Sequence, residues 1–567
     1  MMTTNELRVS VIAAFLAAAA CAPRPPTAPP VPAPVPVMLP PAPPPVVERA
    51  PIPDVNPALP AVPHVTGPLE IKVVYPPAEH LIQSRDSNFV FGSVGNGDAG
   101  LTVNGVLTPV WPNGAFMAWV PNPPADSPRY EIVATTGLDT VRLTRPVRIA
   151  LPPPAVPLPR DTATPGDTLP PGVPPPTAGA QRPPADTVTR LSPVLYASLI
   201  GPAVYPSDTD RVVTGYAITG GLQRWFLMPG TVVKVIETRG TDAHVQLDSS
   251  QVIRIAKSDL TMLAPSYKPI RLRAGAFRVQ ARDEWTDIVI PLSARPAHLV
   301  EVRPGELSLI LYNTSTTRKR PVTVRGTAAG YLASARSERE GQSVRYTFAL
   351  RGPAYGYLPL WEEKGLRFRI RRPPAIDSTA PLKGLTIAVD PGHPPIGATG
   401  PTGLWEPVPA LAVGLRTEAL LREKGANVAM TRTTDSAVAL NDRPAMARRA
   451  NSHAFVSIHF NAVPDGINPI RVNGTATYHY HLHSFTLAEE VQRALVRQLS
   501  LRDNGVKRDN FAVIRGTWMP SVLAEGAFLI MPDQEAAIRT PEYQERYARG
   551  IVEGLESYFR ALARARR

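Results

Sequence analysis

Three ionisable side chains stand where apolar runs of the C-terminal third end. His393 follows LTIAVD (385–390) through a Pro-Gly turn, His459 closes FVSIH (455–459) and Glu525 closes SVLAE (521–525). Short apolar runs of this kind read as buried strands, and charge-bearing groups at their ends need a partner or solvent. Two histidines, a carboxylate and an open water position form an accepted catalytic zinc arrangement, and a further glutamate within reach can deprotonate that water. A single histidine at a strand end is more often a hydrogen-bonded rim residue, so the metal reading rests on the combination. Six of the ten histidines fall in this region: His393, His453, His459, His479, His481 and His483. The last three alternate along one stretch and read as a polar groove wall beside a substrate, with a second metal cluster as the sharper alternative.

The elements that must position these residues alternate. Strands are predicted at 385–390, 428–430, 455–459, 475–481, 511–514 and 521–525, with helices at 408–424, 440–452, 486–501 and 541–562. In the first helix Leu411, Leu415 and Ala419 are expected to share the inward face, and in the third Leu487, Val491, Ala494, Leu495 and Leu499. This pattern predicts an α/β domain with helices over a mostly parallel sheet, in which ligands gather at the carboxyl ends of the strands.

Four motifs in this order resemble the zinc-dependent N-acetylmuramoyl-L-alanine amidases of the Amidase_3 type, over roughly 384–560. In AVDPGHPPIGATGPTGLWE (388–406), His393 and Glu406 align with the family's first zinc histidine and its zinc glutamate. Pro394 and Pro395 stand where the family has glycines, and Pro407 stands where it has lysine and could open a helix as its first residue. AMTRTTD…LNDRPAMARRAN (429–451) supplies Arg443, which matches an arginine that braces the site or the sheet edge. In FVSIHFNA (455–462), His459 matches the second zinc histidine, with Asn461 a supporting residue. In MPSVLAEGAFLIMPDQE (519–535), Glu525 matches the catalytic glutamate, although Ala527, Ile530 and Met531 depart from the usual sequence. Asp390 is expected to orient His393 or to cap its turn. The resemblance implies a Zn²⁺ cofactor and hydrolysis of the amide between N-acetylmuramic acid and L-alanine in peptidoglycan. The departures motivate one alternative, a non-catalytic peptidoglycan-binding lipoprotein with a degenerate amidase domain. A zinc peptidase or deacetylase acting on wall material is a third. Residues 462–520 leave little room for the blocking helix of regulated relatives.

The rest of the chain reads as delivery apparatus. Arg8, the apolar run 9–20 and Ala18-Ala19-Ala20 before Cys21 occur in signal-peptide order. They resemble a relaxed lipoprotein box, which makes Cys21, the only cysteine, a lipidation site and anchors the protein to a membrane. Ordinary secretion with a free thiol is the blander reading. Prolines number 68 of 567 and cluster, marking a tether at 21–66 and a linker at 151–187. Between them, 67–150 reads as an Ig-like β-sandwich, with turns at Asn104-Gly105 and Asn113-Gly114. Residues 188–265 resemble an SH3-like β module and 266–380 a further β-rich module, followed by the catalytic domain at 381–567. The β modules offer surfaces for an envelope protein partner. Trp225, Trp285 and Trp361 read as packing rather than as sugar platforms. A formal charge of +13 favours anionic partners. The charge is scattered, without zinc-finger spacing or a basic recognition helix, which argues against nucleic acid. The expected location is the bacterial envelope, periplasmic and lipid-anchored.

Overall fold

The computed structural model describes residues 47–53, 56–137, 139–150, 188–200, 212–316, 322–325 and 330–565. The signal segment, Cys21, residues 21–46 of the tether and the linker 151–187 lie outside the described residues. Among the described residues no helix is long and apolar enough to cross a membrane.

Residues 72–149 form a three-stranded and a five-stranded sheet. These close on a core that includes Val90, Leu101, Phe116, Tyr130 and Ile132. Asn104 and Gly105 take φ of +48° and +76°, the paired positive values that a two-residue hairpin needs. Residues 188–262 contribute a seven-stranded sheet, and 273–371 a four-stranded and a five-stranded sheet with a small two-stranded one. Trp225 and Trp361 are buried, and Trp285 lies half-buried under the Arg369 guanidinium at 4.2 Å. All three pack rather than present open faces.

The C-terminal domain is α/β. Strands β1 (Thr386–Pro391), β2 (Asn427–Met430), β3 (Ala454–Asn461), β4 (Thr475–His479), β5 (Asp503–Arg508) and β6 (Ser521–Phe528) form one sheet in the order β2-β1-β3-β6-β4-β5. The first three strands and β6 run parallel, while β4 is antiparallel to β6 and parallel to β5. Helices α1 (Pro407–Glu423), α2 (Asp442–Arg449), α3 (Phe485–Leu499), α4 (Pro532–Ile538) and α5 (Pro541–Arg564) surround it. Ile387, Val389, Val456 and Val522 face a core shared with α1, α3 and α5. On the opposite face Ala388, Phe455 and Leu523 meet Ala447 of α2 and Leu358 of the preceding β module. Both sheet faces are therefore covered, which is why the strands read as unbroken apolar runs. A Cβ at Gly554 would meet the Val491 Cα at 2.5 Å, so glycine lets α5 and α3 pack this closely.

Two sequence expectations need correction, and one strand was not foreseen. The buried face of α1 carries Ala410, Val413, Thr417 and Leu421, whereas Leu415 and Ala419 are exposed. Small residues lead that face because Gly414 rides directly over Pro391 of β1. FAVI is not a strand: Ala512–Ile514 is one 3-10 turn that buries Val513 and Ile514 under the sheet. Its place as a strand is taken by β5, whose sequence DNGVKR is too polar to signal one because it lies at the sheet edge.

The end of the predicted tether is fastened down. Leu59 joins the core of the catalytic domain, Arg546 donates to the Ala58 carbonyl at 2.8 Å, and Asn56 donates to the Ser500 carbonyl at 2.6 Å. The first β-sandwich also docks there. Phe89, Phe91 and Met117 pack on Phe528, Ile530 and Met531. Asp465, in the loop after β3, accepts from the Tyr75 hydroxyl, from Asn88 Nδ2 at 2.9 Å and from the Gln83 amide at 3.0 Å, and pairs with His80 at 3.2 Å.

Candidate metal centre

The site is assembled at the carboxyl ends of β1, β3 and β6. β1 hands the chain through Gly392 to His393, whose φ of +59° is uncommon for a residue with a side chain. The conformation is held from behind: Arg443 Nη2 donates to the His393 carbonyl at 3.0 Å. Gly392 leaves the room that His459 needs, since a Cβ there would lie 2.4 Å from the imidazole Cε1. His459 lies near the carboxyl end of β3, in direct register with Glu525 on β6. Glu406 immediately precedes α1, which opens on Pro407 as its first helical residue.

Glu406 is buried between the two imidazoles. Its Oε2 lies 3.1 Å from His393 Nε2 and its Oε1 lies 3.1 Å from His459 Nδ1. The backbone amides of Ala398 and Phe460 donate to it at 3.0 and 3.1 Å. Burial works to raise its pKa, but the hydrogen bonds and charges of the two histidines outweigh burial and hold the carboxylate ionised. The ligating atoms of His393, Glu406 and His459 all lie within 4.8 Å of one another, the one such group among the described residues. This donor set suits zinc. Glu525 Oε2 is buried without a hydrogen-bond partner, an orphaned acceptor that calls for a ligand. Burial first, and then the charge of Glu406, hold the Glu525 carboxyl well above the usual carboxylate range. The residues present therefore fit a bound metal ion with a carboxylate beside it.

The supporting residues form a buried network. Asp390 accepts from Thr431 and Ser457 at 2.6 Å and from Arg443 at 2.7 Å. Arg443 carries this bond onward to the Pro391 and His393 carbonyls, so Asp390 reaches the histidine loop through the arginine. Asn461 closes β3, in register with Phe528 of β6. Sequence reading passed over three others. Arg432 binds the carbonyls of Pro391, Gly392 and Pro407 at 2.8–2.9 Å and ties β1 to the start of α1. Glu535, fully buried, accepts from the Thr402 and Leu404 amides and braces the loop that carries Glu406. The Tyr547 hydroxyl donates to the Ala524 carbonyl at 2.8 Å behind Glu525. Arg432 and Glu535 stood inside quoted motifs without a role assigned to them, and Tyr547 gave no local signal.

The second histidine group is a correction. Ala476 pairs with Glu525 and His479 with Val522, so β4 runs away from the metal centre. His479, His481 and His483 are buried at the other end of the sheet, with His481 and His483 stacked at 5.4 Å. They neither wall the catalytic groove nor form a metal cluster.

Fold and site together define an α/β domain with a candidate two-histidine, one-carboxylate metal centre. Residues 387–557 match the N-acetylmuramoyl-L-alanine amidase family. The chain is 36% identical over 192 residues to the YqiI protein of Bacillus subtilis, covering 33% of this chain and 90% of that one. It is 36% identical over 186 residues to the N-acetylmuramoyl-L-alanine amidase LytC of the same organism, covering 32% of this chain and 36% of LytC. Among solved structures it is similar to an N-acetylmuramoyl-L-alanine amidase from Clostridium difficile 630, at 32% identity and a TM-score of 0.30, covering 31% of this chain and 97% of that one. The chain belongs to the N-acetylmuramoyl-L-alanine amidase family, and it is an amidase.

Proposed function

We propose that this protein is a zinc-dependent hydrolase that cuts the amide between N-acetylmuramic acid and L-alanine in peptidoglycan. The observation that carries the reading is the convergence of His393, Glu406 and His459 beside the unpartnered Glu525 carboxyl. His393, Glu406 and His459 would hold the ion. Bound there, zinc supplies Lewis acidity toward the amide carbonyl and acidifies a water molecule. Glu525 takes the proton of the attacking water and passes it to the leaving nitrogen as the C–N bond breaks. The products are the lactyl carboxylate and a free L-alanine amine. Glu406 stays ionised throughout, and Arg443 and Arg432 keep the His393 turn in place. No covalent acyl intermediate is required.

The same reading places the protein in the envelope, exported by residues 1–20 and tethered through a lipid on Cys21. The first two-sheet module, 67–150, supports an immunoglobulin-like assignment, and the single sheet of 188–265 supports an SH3-like one. Residues 266–380 serve as a third β module, and 381–567 as the catalytic domain.

The test is mass analysis of the products from native peptidoglycan. Cleavage that creates a new amine on L-alanine, stops with a chelator and returns with zinc supports the reading. Glu525→Gln should keep the metal and lose about 10²–10⁴ in turnover. An unchanged rate in that variant would remove Glu525 as the base, and a folded, inactive wild type would favour the degenerate wall-binding protein.

A further inference from the structure

A cleft of about 570 Å³ opens where the 188–262 module, the 273–371 module and the catalytic domain meet. It lies beyond the end of β4, at the end of the sheet opposite the metal centre. Two edge strands line it. Among the described residues, Trp225–Leu227 is the last strand of the seven-stranded sheet and pairs only with Val213–Ala217. His298–Arg303 is the last strand of the five-stranded sheet and, among the described residues, pairs only with Glu306–Leu311. An edge strand keeps one row of amide and carbonyl groups unpaired, and extended peptides add to such rows.

The charges of the cleft are unbalanced. Its one carboxylate, Glu301, is already bound by Arg224 at 2.5 Å and by Arg345 at 2.9 Å. Arg303, Arg508 and Arg515 also line the cleft, and none has a carboxylate partner among the described residues. Arg515 is half-buried, and desolvation works against its charge. It is held by Asn510 Oδ1 at 2.8 Å, which leaves the guanidinium short of a counter-ion. Arg508 lies over the Tyr480 ring at 5.3 Å with its Nε on the Tyr480 carbonyl at 3.0 Å, which fixes the guanidinium in place. His298 also lines the cleft, and its buried Nδ1 has no hydrogen-bond partner among the described residues. Phe226, Tyr357 and Leu482 supply apolar wall.

We propose that this cleft is a second binding site that takes a short extended peptide with free carboxylates. The edge strands pair with its amides, and Arg303, Arg508 and Arg515 take its carboxylates in forked hydrogen bonds. The peptides that amide cleavage frees from the wall have this chemistry, a choice of ligand that rests on the peptidoglycan reading. Such a site holds a peptide away from the metal centre, either the released product or the stem of a neighbouring strand.

The experiment is calorimetric titration of the full chain with purified peptide stems from amidase-digested peptidoglycan, in the presence of a chelator. Saturable 1:1 binding is expected that is unchanged in His393→Ala and Glu525→Gln. It should weaken at least about ten-fold in Arg508→Gln/Arg515→Gln, since one charge-assisted bond of about 1.5–3 kcal/mol corresponds to that factor or more. Arg303→Gln, at an exposed strand position, tests the same point should the double variant fold poorly. Peptide with amidated carboxyl groups should bind more weakly than the free acid. Absent binding, binding indifferent to all three arginines, or binding lost in the metal-centre variants overturns the site. Amide cleavage is scored separately. A chain that cleaves the wall but binds no peptide sinks only the second site, and one that binds peptide without cleaving sinks only the enzymatic reading.

Discussion

Gly392→Ala is the smallest change that should disable the metal centre. The added Cβ would sit 2.4 Å from Cε1, 2.6 Å from Nε2 and 2.7 Å from Nδ1 of His459, under the 3.0 Å that real Cβ atoms respect. Ordinary contact begins near 3.4 Å, so the imidazole must retreat by about 1 Å. It has little freedom to do so. Glu406 and the register of β3 with β6 fix the ring, and Gly392 is itself tied by its amide to the Ile458 carbonyl at 2.9 Å. Zinc–nitrogen bonds are about 2.0–2.1 Å and tolerate little error. A misplacement of about 1 Å is enough to cost about 10²-fold in rate. The variant should fold, with a far-ultraviolet spectrum like that of the parent. Its zinc content after dialysis should fall, and amide cleavage should drop about 100-fold or more even with zinc in excess. Zinc content by plasma mass spectrometry and product amine by labelling are the two assays. Parental zinc retention with parental rate would refute the steric reasoning and with it the placement of His459 in the centre.

Three further outcomes follow from the buried polar groups. Arg443→Met strips the buried Asp390 of its arginine and should destabilise the catalytic domain by about 3–5 kcal/mol in denaturant titrations; a loss under 1 kcal/mol would mean that the pair is not needed. Asp465→Ala strips the buried Asn88 of an acceptor and leaves the Tyr75 hydroxyl with His80 alone, so the sandwich should become sensitive to protease at a cost of about 1–3 kcal/mol; unchanged digestion would argue against the docked arrangement. Burial holds His298 and His481 down at about 4, with Arg295 adding to the effect at His298. Their unfolded value is about 6.5, so between pH 6.5 and 4 the unfolded chain binds protons that the folded chain does not. Their contribution is complete above pH 6.5 and is lost as pH falls toward 4, by up to about 1.4 kcal/mol per pH unit for each. Urea midpoints that stay flat from pH 7 to 4.5 would contradict this.

The sequence discloses most where local pattern and global position agree. β1, β3 and β6 are buried on both faces, so their apolar runs stood out and delivered His393, His459 and Glu525 to one edge. Glu406 has no such signal, since it precedes a helix inside a glycine-rich loop, and only the family resemblance reached it. The buried face of α1 was misjudged because close packing on β1 selects glycine and alanine there, while the leucines that catch the eye lie outside. β5 was missed because an edge strand with polar residues shows no alternation. The histidines at and beyond the end of β4 were assigned to the wrong end of the sheet, because strand direction is a property of the pairing and not of the strand's own residues. Glu535 closes the last motif and Tyr547 lies on the helix beyond it, and what makes them matter is the loop and the strand behind which they stand.

The docking of the first sandwich and of residues 56–59 on the last third of the chain has a practical edge. An excised fragment beginning near residue 380 would bare Phe528, Ile530 and Met531, lose Leu59 from its interior and uncover Trp518, now held by Arg371 at 4.6 Å. Such a fragment is a torn surface rather than a portable cassette, and poor solubility of the isolated piece would speak of missing neighbours and not of a defective enzyme.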